Sequence, residues 1–285
     1  MAARPVCITA DSTCDLPAEL LDRYGIRVIP LMINYGEESF RDGIEITPAD
    51  MYRRFHADGS LPSTAAPSVQ DLTDFFRPLV DAGYDVVHLD ISSELSNIFN
   101  AARLAAEDFP GRVYAVDTRS LCTGVGLLAI EGAERAAEGM GAAEIAEHLR
   151  NLTDKVETSF VLDTLEFMRK GGRCSNFAAL GANLLKLKPA LEMANGKLGV
   201  YKKYRGSIEH VYAQYITERL SGKKIRPGHV FFTESGEIDP ALVASLEALV
   251  RELAPEVKEI HHAVAGCTIS SHCGPKTMGV LFLDE

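Results

Sequence analysis

Separated stretches of this 285-residue chain carry side chains suited to holding a small acidic group. Pro62-Ser63-Thr64-Ala65-Ala66-Pro67-Ser68 places the hydroxyls of Ser63 and Thr64 in a loop stiffened by prolines. Ile91-Ser92-Ser93-Glu94-Leu95-Ser96-Asn97 sets Ser92 and Ser93 between an apolar run and a helical pattern. Hydroxyls beside the unpaired N–H groups of a helix N-terminus make an anion site. The same residues serve equally as plain N-caps, worth about 1 kcal/mol, and Glu94 favours capping because it repels an anion. Arg169-Lys170-Gly171-Gly172-Arg173 puts two arginines beside paired glycines. Thr268-Ile269-Ser270-Ser271-His272-Cys273-Gly274-Pro275 puts His272 on an expected turn near the end of the chain. A hydroxyl pair, Arg173 and His272 can converge on one acidic ligand.

Other chemistries are open to some of these residues. Ser92 or Ser93 as nucleophile with His272 as base would make a hydrolase of small esters, since such groups meet in space rather than in sequence. The Gly-x-Ser-x-Gly elbow is missing, as are Walker A, His-Glu-x-x-His and EF-hand patterns. Gly124-x-Gly126-x-x-Ala129 resembles a dinucleotide fingerprint, but seven residues separate Val116 from Gly124. The fingerprint needs its glycines in the tight strand-to-helix turn, so these are read as small residues that let a helix pack closely. Asp11 and Asp15 read as turn and capping residues. Cys267, His272 and Cys273 lack an evident fourth ligand for tetrahedral zinc. None of the six cysteines forms a Cys-x-x-Cys pair, which fits reduced thiols and an expected cytoplasmic location.

The elements that must position these residues follow from pattern. Residues 5–10 read as a strand, Ala18–Tyr24 as a helix closed by Gly25, and 26–33 as the next strand, a βαβ unit. Thr47-Pro48 opens a helix with an N-cap and an N1 proline. Helices at 70–82 and 96–109 alternate with strands at 86–91 and 113–116, and helices at 124–139 and 142–156 follow. Residues 1–157 are therefore expected to form an α/β domain with a mostly parallel sheet flanked by helices. The texture then changes. Strands are expected at 159–162, 190–193, 198–203, 230–233, Glu259–Val264 and 279–282, with helices at 163–170, Ile208–Leu220 and 240–254. A small-residue stretch occupies 178–186, and Asn195-Gly196 signals a hairpin. Residues 158–285 are expected to form an α+β domain with a mixed sheet.

The net charge is −11 and the pI about 5.3, which argues against nucleic acid, since that needs clustered Lys and Arg. It equally argues against an electrostatic hold on an anionic membrane. No run of about 20 apolar residues is present, so no stable membrane insertion is expected, and the N-terminal residues do not read as a signal peptide.

With these segments assembled, the whole chain resembles the DegV family, bacterial proteins that bind one fatty acid, some as the fatty-acid-binding subunit of a fatty acid kinase. The resemblance runs through Asp11-Ser12-Thr13, Ser63-Thr64 with Pro67, Ile91-Ser92-Ser93-x-Leu95-Ser96, Asp117-Thr118 and Gly124-x-Gly126. It continues through Lys170-Gly171-Gly172-Arg173, Leu184-Leu185-Lys186-Leu187-Lys188-Pro189 and His272-Cys273-Gly274-Pro275, in the same order. It implies two α/β domains, a long-chain fatty acid as ligand with no other cofactor, and a separate ATP-binding kinase subunit as partner. It implies that Ser63 or Thr64 with Ser92 or Ser93 bonds the carboxylate, that His272 lies near it and that Arg173 supplies positive charge. Arg205 matches a basic position facing the kinase. On this reading the chain is a carrier with no catalysis of its own. Ala65-Ala66, Asn97-Ile98 and Lys276 depart from the family pattern and put individual contacts and the pocket shape in doubt.

Overall fold

The apolar run closed by Asp11 forms β1 (Val6–Asp11), which becomes an inner strand of a four-stranded sheet. The structure, a computed structural model, describes residues 4–172 and 187–285. β1 lies between β2 (Arg27–Ile29) and β6 (Asp85–Asp90), with β7 (Val113–Asp117) outermost, and every pairing is parallel. Parallel neighbours need crossovers. Here α1 (Ala18–Tyr24), α3 (Val69–Asp81) and α4 (Ile98–Ala106) lie on them, and α1 stops where Gly25 turns left-handed at φ 63°. The order β2-β1-β6-β7 reverses direction between β1 and β6, a switch point where open α/β sheets leave a crevice at the strands' carboxyl ends.

The run at 26–33 is not one strand. Pro30 lacks the N–H that a continuing ladder needs, and beyond it β3 (Met32–Tyr35) joins a separate antiparallel sheet with β4 (Glu38–Arg41) and β5 (Ser63–Ala65). The hydroxyl segment expected as a loop thus contains a short strand, with Thr64 opposite Ile33. α2 (Pro48–Asp58) starts at the expected Thr47 cap, where Thr47 and Asp50 bond reciprocally.

The second sheet runs β10 (Lys197–Arg205), β9 (Leu187–Ala194), β8 (Val156–Val161), β13 (Met278–Asp284), β11 (Ile225–Glu234), β12 (Glu259–Val264). It is antiparallel except for β11 and β12. Asn195 and Gly196 turn the β9–β10 hairpin with φ 52° and 77°, the pair of positive angles a two-residue hairpin prefers. β8 straddles the division expected between residues 157 and 158.

One helix joins the two sheets. α5 (Thr123–Ala137) is buried without a break from Thr123 to Ala133, a stretch apolar or small except for Thr123 and for Glu131, whose carboxylate is met by His148, Arg135 and Arg226. It packs with Ile8 and Val87 of the parallel sheet and with Phe231 and Leu281 of the mixed one. Alternation sends Val230, Phe232, Val280 and Phe282 to the other face, under α8 (Ile208–Leu220) and α9 (Pro240–Leu253). α6 (Ala142–Leu152) completes the inner layer. The glycines of the fingerprint-like motif are packing devices. A Cβ at Gly126 would lie 2.6 Å from Leu16 Cδ2 and 2.9 Å from the Cys14 carbonyl, and one at Gly124 would overlap the hydroxyls of Ser120 and Thr158.

At the switch point Asp11 is fully buried. Its carboxylate accepts from Thr13 N at 2.7 Å, Thr13 Oγ1 at 2.5 Å and Ile91 N at 2.9 Å, tying β1 to the end of β6. Burial, reinforced by Asp90, pushes its pKa up to about 6 despite those bonds. The folded value exceeds the unfolded one, so the proton favours the fold. Stability from this group is greatest below about pH 4 and falls as pH rises to about 6, after which the penalty is constant. Asp11→Asn removes the titration, so its stability deficit relative to the parent should be about 2 kcal/mol smaller at pH 7 than at pH 4.5. Urea denaturation at the two pH values measures this, and a deficit that does not change with pH overturns the assignment.

Candidate functional site

A cavity of about 320 Å³ opens between the carboxyl ends of the parallel strands and the mixed sheet. That is within the usual range for small-molecule sites. Its walls are apolar: Ile91 follows β6, Leu121 follows β7, Phe160 comes from β8, Leu198 from β10 and Leu281 from β13, with Met168 from α7 (Glu166–Lys170). Thr64, Ala66, Ser96, Asn97 and His272 also line it. Ala66 and Asn97 are exposed, whereas Thr64, Ser96 and His272 are half-buried, so a polar mouth, partly open to solvent, leads into a largely apolar interior.

His272 is not on a turn, as expected, but in the last turn of α10 (Cys267–Cys273). Two carboxylates from distant chain segments fix this short helix. Asp42 accepts from Cys267 N at 2.8 Å, Thr268 N at 3.0 Å and Thr268 Oγ1 at 2.5 Å. Asp15 accepts from Gly266 N at 2.8 Å. Neither aspartate is near α10 in sequence, and the N–H groups they satisfy are ones a helix cannot satisfy itself. At the other end Ser235 Oγ donates to the Gly274 carbonyl at 2.6 Å. The imidazole Nε2 then lies 3.4 Å from Thr64 Oγ1. Gly171 packs so closely on the other ring nitrogen that a Cβ there would overlap Nδ1.

The structure brings Thr64 and His272 together and separates the other candidates. Ser63 is exposed and is not among the lining residues. Ser92 is fully buried, its hydroxyl donating to the Gly196 carbonyl at 2.6 Å across to the β9–β10 hairpin. Ser93 Oγ donates to Asp117 Oδ2 at 2.5 Å. Both serines thus pin the loop before α4, and neither is among the cavity-lining residues. Arg173 lies outside the described residues. Arg205 is exposed at the end of β10, opposite Leu187. Ser96 and Asn97, neither of them among the residues that the sequence assigns to the ligand, line the mouth, and Ser96 Oγ accepts from Ile98 N at 3.2 Å. The signal that separates Ser96 from Ser93 is helical phase at the start of α4, which becomes decisive only once the register of that turn is known.

The electrostatics suit a neutral lining. Cys122 and Cys273 line the cavity, and burial pushes the Cys273 thiol up to about 12 and the Cys122 thiol well above its ordinary range. They act as small apolar groups rather than thiolates. Glu234, also in the lining, is engaged elsewhere. It accepts from Gly236 N and lies 3.7 Å from His262. Among the described residues no helix is long and apolar enough to cross a membrane.

Comparison with known proteins gives one consistent result. The family model described as an uncharacterised protein of the DegV family matches residues 5–285. A fatty acid-binding protein of Thermotoga maritima is 32% identical over 96% of each chain. A solved DegV-family structure from Thermus thermophilus, described as binding fatty acid, is 32% identical, with a TM-score of 0.87 over 99% of this chain and all of that one. DegV of Bacillus subtilis, described as a fatty acid binding protein, is 25% identical, with a TM-score of 0.84 over 99% of this chain and 100% of that one.

Because Asp42 alone satisfies three donors at the start of α10, Asp42→Ala leaves buried N–H groups without their acceptor. The expected cost is about 3 kcal/mol. Equilibrium unfolding in urea checks this, and a loss below about 1 kcal/mol would mean that packing, not the cap, holds α10.

Proposed function

This chain belongs to the DegV family, and on that footing we propose that it binds one long-chain fatty acid, with the acyl chain in the cavity between the two sheets and the carboxylate at the mouth. The observation that carries the reading is a largely apolar cavity, open at one end, with Thr64 and His272 in contact at that half-buried end. A carboxylate beside an apolar cavity must be hydrogen-bonded or neutralised. Thr64 Oγ1 can donate directly, and His272 can add a second donor or a positive charge. The half-buried Ser96 and the exposed Asn97 stand on the same rim. Ser92 and Ser93 serve by shaping the loop rather than by touching the ligand.

Burying a chain of about 16 carbons removes roughly 14 methylenes from water, on the order of 11 kcal/mol gross at about 0.8 kcal/mol each. Association and ordering offset several of these. The tail then dominates affinity and the head group sets orientation. In the finer form of the proposal the protein is a carrier in the cytoplasm. It presents the carboxylate, partly open to solvent, to a separate ATP-dependent fatty acid kinase for acyl-phosphate formation, with exposed Arg205 facing that partner. That division of labour is what the resemblance of the sequence motifs implies, and the exposed position of Arg205 at the end of β10 is compatible with it.

Organic extraction of the purified protein followed by mass spectrometry should return about one fatty acid per chain, with length and saturation read directly. Thr64→Ala and Gly171→Ala, the latter forcing the His272 ring aside, should each weaken retention about tenfold, the loss of one hydrogen bond to a charged group. Urea midpoints of both variants should stay near the parent's. An empty extract with no uptake of added fatty acid removes the lipid reading. Full retention in both variants removes the head-group assignment alone.

A further inference from the structure

A second cluster of chemically able side chains sits on the mixed sheet, away from the cavity. β11 and β12 pair in parallel, with His229 opposite Glu259 and Phe231 opposite His261. Alternation therefore places His229, Glu259 and His261 on one face, the face that also carries Phe231 against α5. Glu134 of α5 and Arg23 and Tyr24 of α1 close over it. The cavity lining begins at Thr233 on the same strand, about 13 Å along β11 from His229 at the usual rise per residue.

We propose that His229, His261 and Glu259 form a binding site for a divalent transition-metal ion of the zinc type. Among the described residues this is the group of three His, Cys, Asp or Glu side chains whose ligand atoms all lie within 4.8 Å of one another. His229 Nδ1 and His261 Nε2 face each other at 2.9 Å, and the rings stack with centroids 5.1 Å apart. Glu259 Oε2 lies 3.8 Å from His261 Nε2. Two imidazole nitrogens on one tetrahedral zinc, each bonded at about 2.0–2.1 Å, stand about 3.3 Å apart. An opening of about 0.4 Å therefore admits the ion. His side chains on neighbouring strands supply such a movement by ring rotation.

The surroundings supply what metal-binding histidines need. His229 Nε2 lies 3.3 Å from Glu134 Oε1 and 3.4 Å from the Tyr24 hydroxyl. Donation of the Nε2 proton to that carboxylate leaves the Nδ1 lone pair pointing at the proposed ion, the carboxylate–histidine–metal arrangement that fixes ring and tautomer. The His229 and His261 side chains are 12% and 10% exposed, whereas Glu259 and Glu134 are 34% and 37% exposed. The nitrogens are thus held in place while the oxygen side stays open for entry and for a water as fourth ligand. Arg23 is the competing interaction: its guanidinium holds both oxygens of Glu259, at 2.6 and 2.8 Å. Metal binding must take one oxygen from Arg23, so removing Arg23 should strengthen it. Two imidazoles and a carboxylate suit Zn²⁺, Ni²⁺ or Cu²⁺ rather than Mg²⁺ or Ca²⁺.

The test is calorimetric titration of the full chain with Zn²⁺ alone, with Co²⁺ spectroscopy as a second readout. The expected result is one Zn²⁺ per chain, lost in His229→Ala and in His261→Ala, weakened about tenfold in Glu134→Gln and tightened in Arg23→Ala. Bound Co²⁺ should show tetrahedral visible bands without thiolate charge transfer. Fatty-acid content should be unchanged in all four variants, which separates this site from the cavity. His261→Gln guards against a folding defect in the alanine variant and should also lose Zn²⁺. No binding to the parent, equal binding in the histidine variants, or a thiolate signature from Co²⁺ each overturns the proposal.

Discussion

The thickness of one helix governs this molecule. α5 is buried along most of its length because it is the spacer between two sheets, and it holds them a helix diameter apart rather than letting them pack directly. A close-packed interior does not tolerate an unfilled gap of that width. Over the helix the gap is filled by α5 and α6. At the N-terminal end of α5 the filling stops, and Leu121 and Cys122, the residues just before the helix, line the cavity. Cys122 takes a positive φ of 54° there, a backbone conformation disfavoured for any residue with a Cβ. The chain accepts this at the point where it must turn from the cavity wall into the spacer helix. The cavity is thus the space left where a three-layer packing of sheet, helix and sheet runs out of helix.

The consequence is a site whose parts come from everywhere in the chain but whose position is fixed by very few contacts. Strand ends of the parallel sheet contribute one wall and the inner face of the mixed sheet another, so the apolar lining comes at no extra structural cost. Only the polar end needs special devices, and they are carboxylates. Asp11 holds the start of the loop after β6, Asp117 holds Ser93 in that same loop, and Asp42 and Asp15 hold α10. These acids are buried or partly buried, and burial raises Asp15 well above the usual carboxylate range. Each is a fixed acceptor for backbone N–H groups. Loops built this way keep hydroxyls and an imidazole in place around a space that the protein itself does not fill.

This division explains which parts of the structure can be read from residues alone. The periodic elements can: α8 and β12 have the expected bounds, Gly25 and Thr47 terminate their helices as their chemistry requires, and Asn195-Gly196 makes its hairpin. The three-stranded sheet cannot, because β3, β4 and β5 span only three or four residues each, too short for alternation to stand out from a loop. α10 is hidden for a different reason. Its seven residues are rich in Ser, Thr and Cys and have little helical preference. It is helical because Asp42, more than 200 residues away, occupies its N-terminus.

The same reasoning separates the serines of the loop before α4. Ser92, Ser93 and Ser96 are equivalent as residue types, and a sequence pattern treats any of them as a donor to an acid. Their partners differ because the loop is one turn of chain crossing from a strand end to a helix start. Successive side chains there point toward the hairpin, toward β7 and toward the cavity. Ser92 reaches the Gly196 carbonyl, where a Cβ on Gly196 would stand 3.1 Å from the serine oxygen, so the left-handed glycine of the hairpin is also the one that admits the hydroxyl. Ser93 reaches Asp117, and Ser96 is left at the rim. A hydroxyl whose proton is committed to a carbonyl or a carboxylate is a poor donor to a ligand. The polar groups available at the mouth therefore narrow to Thr64, Ser96, Asn97 and His272.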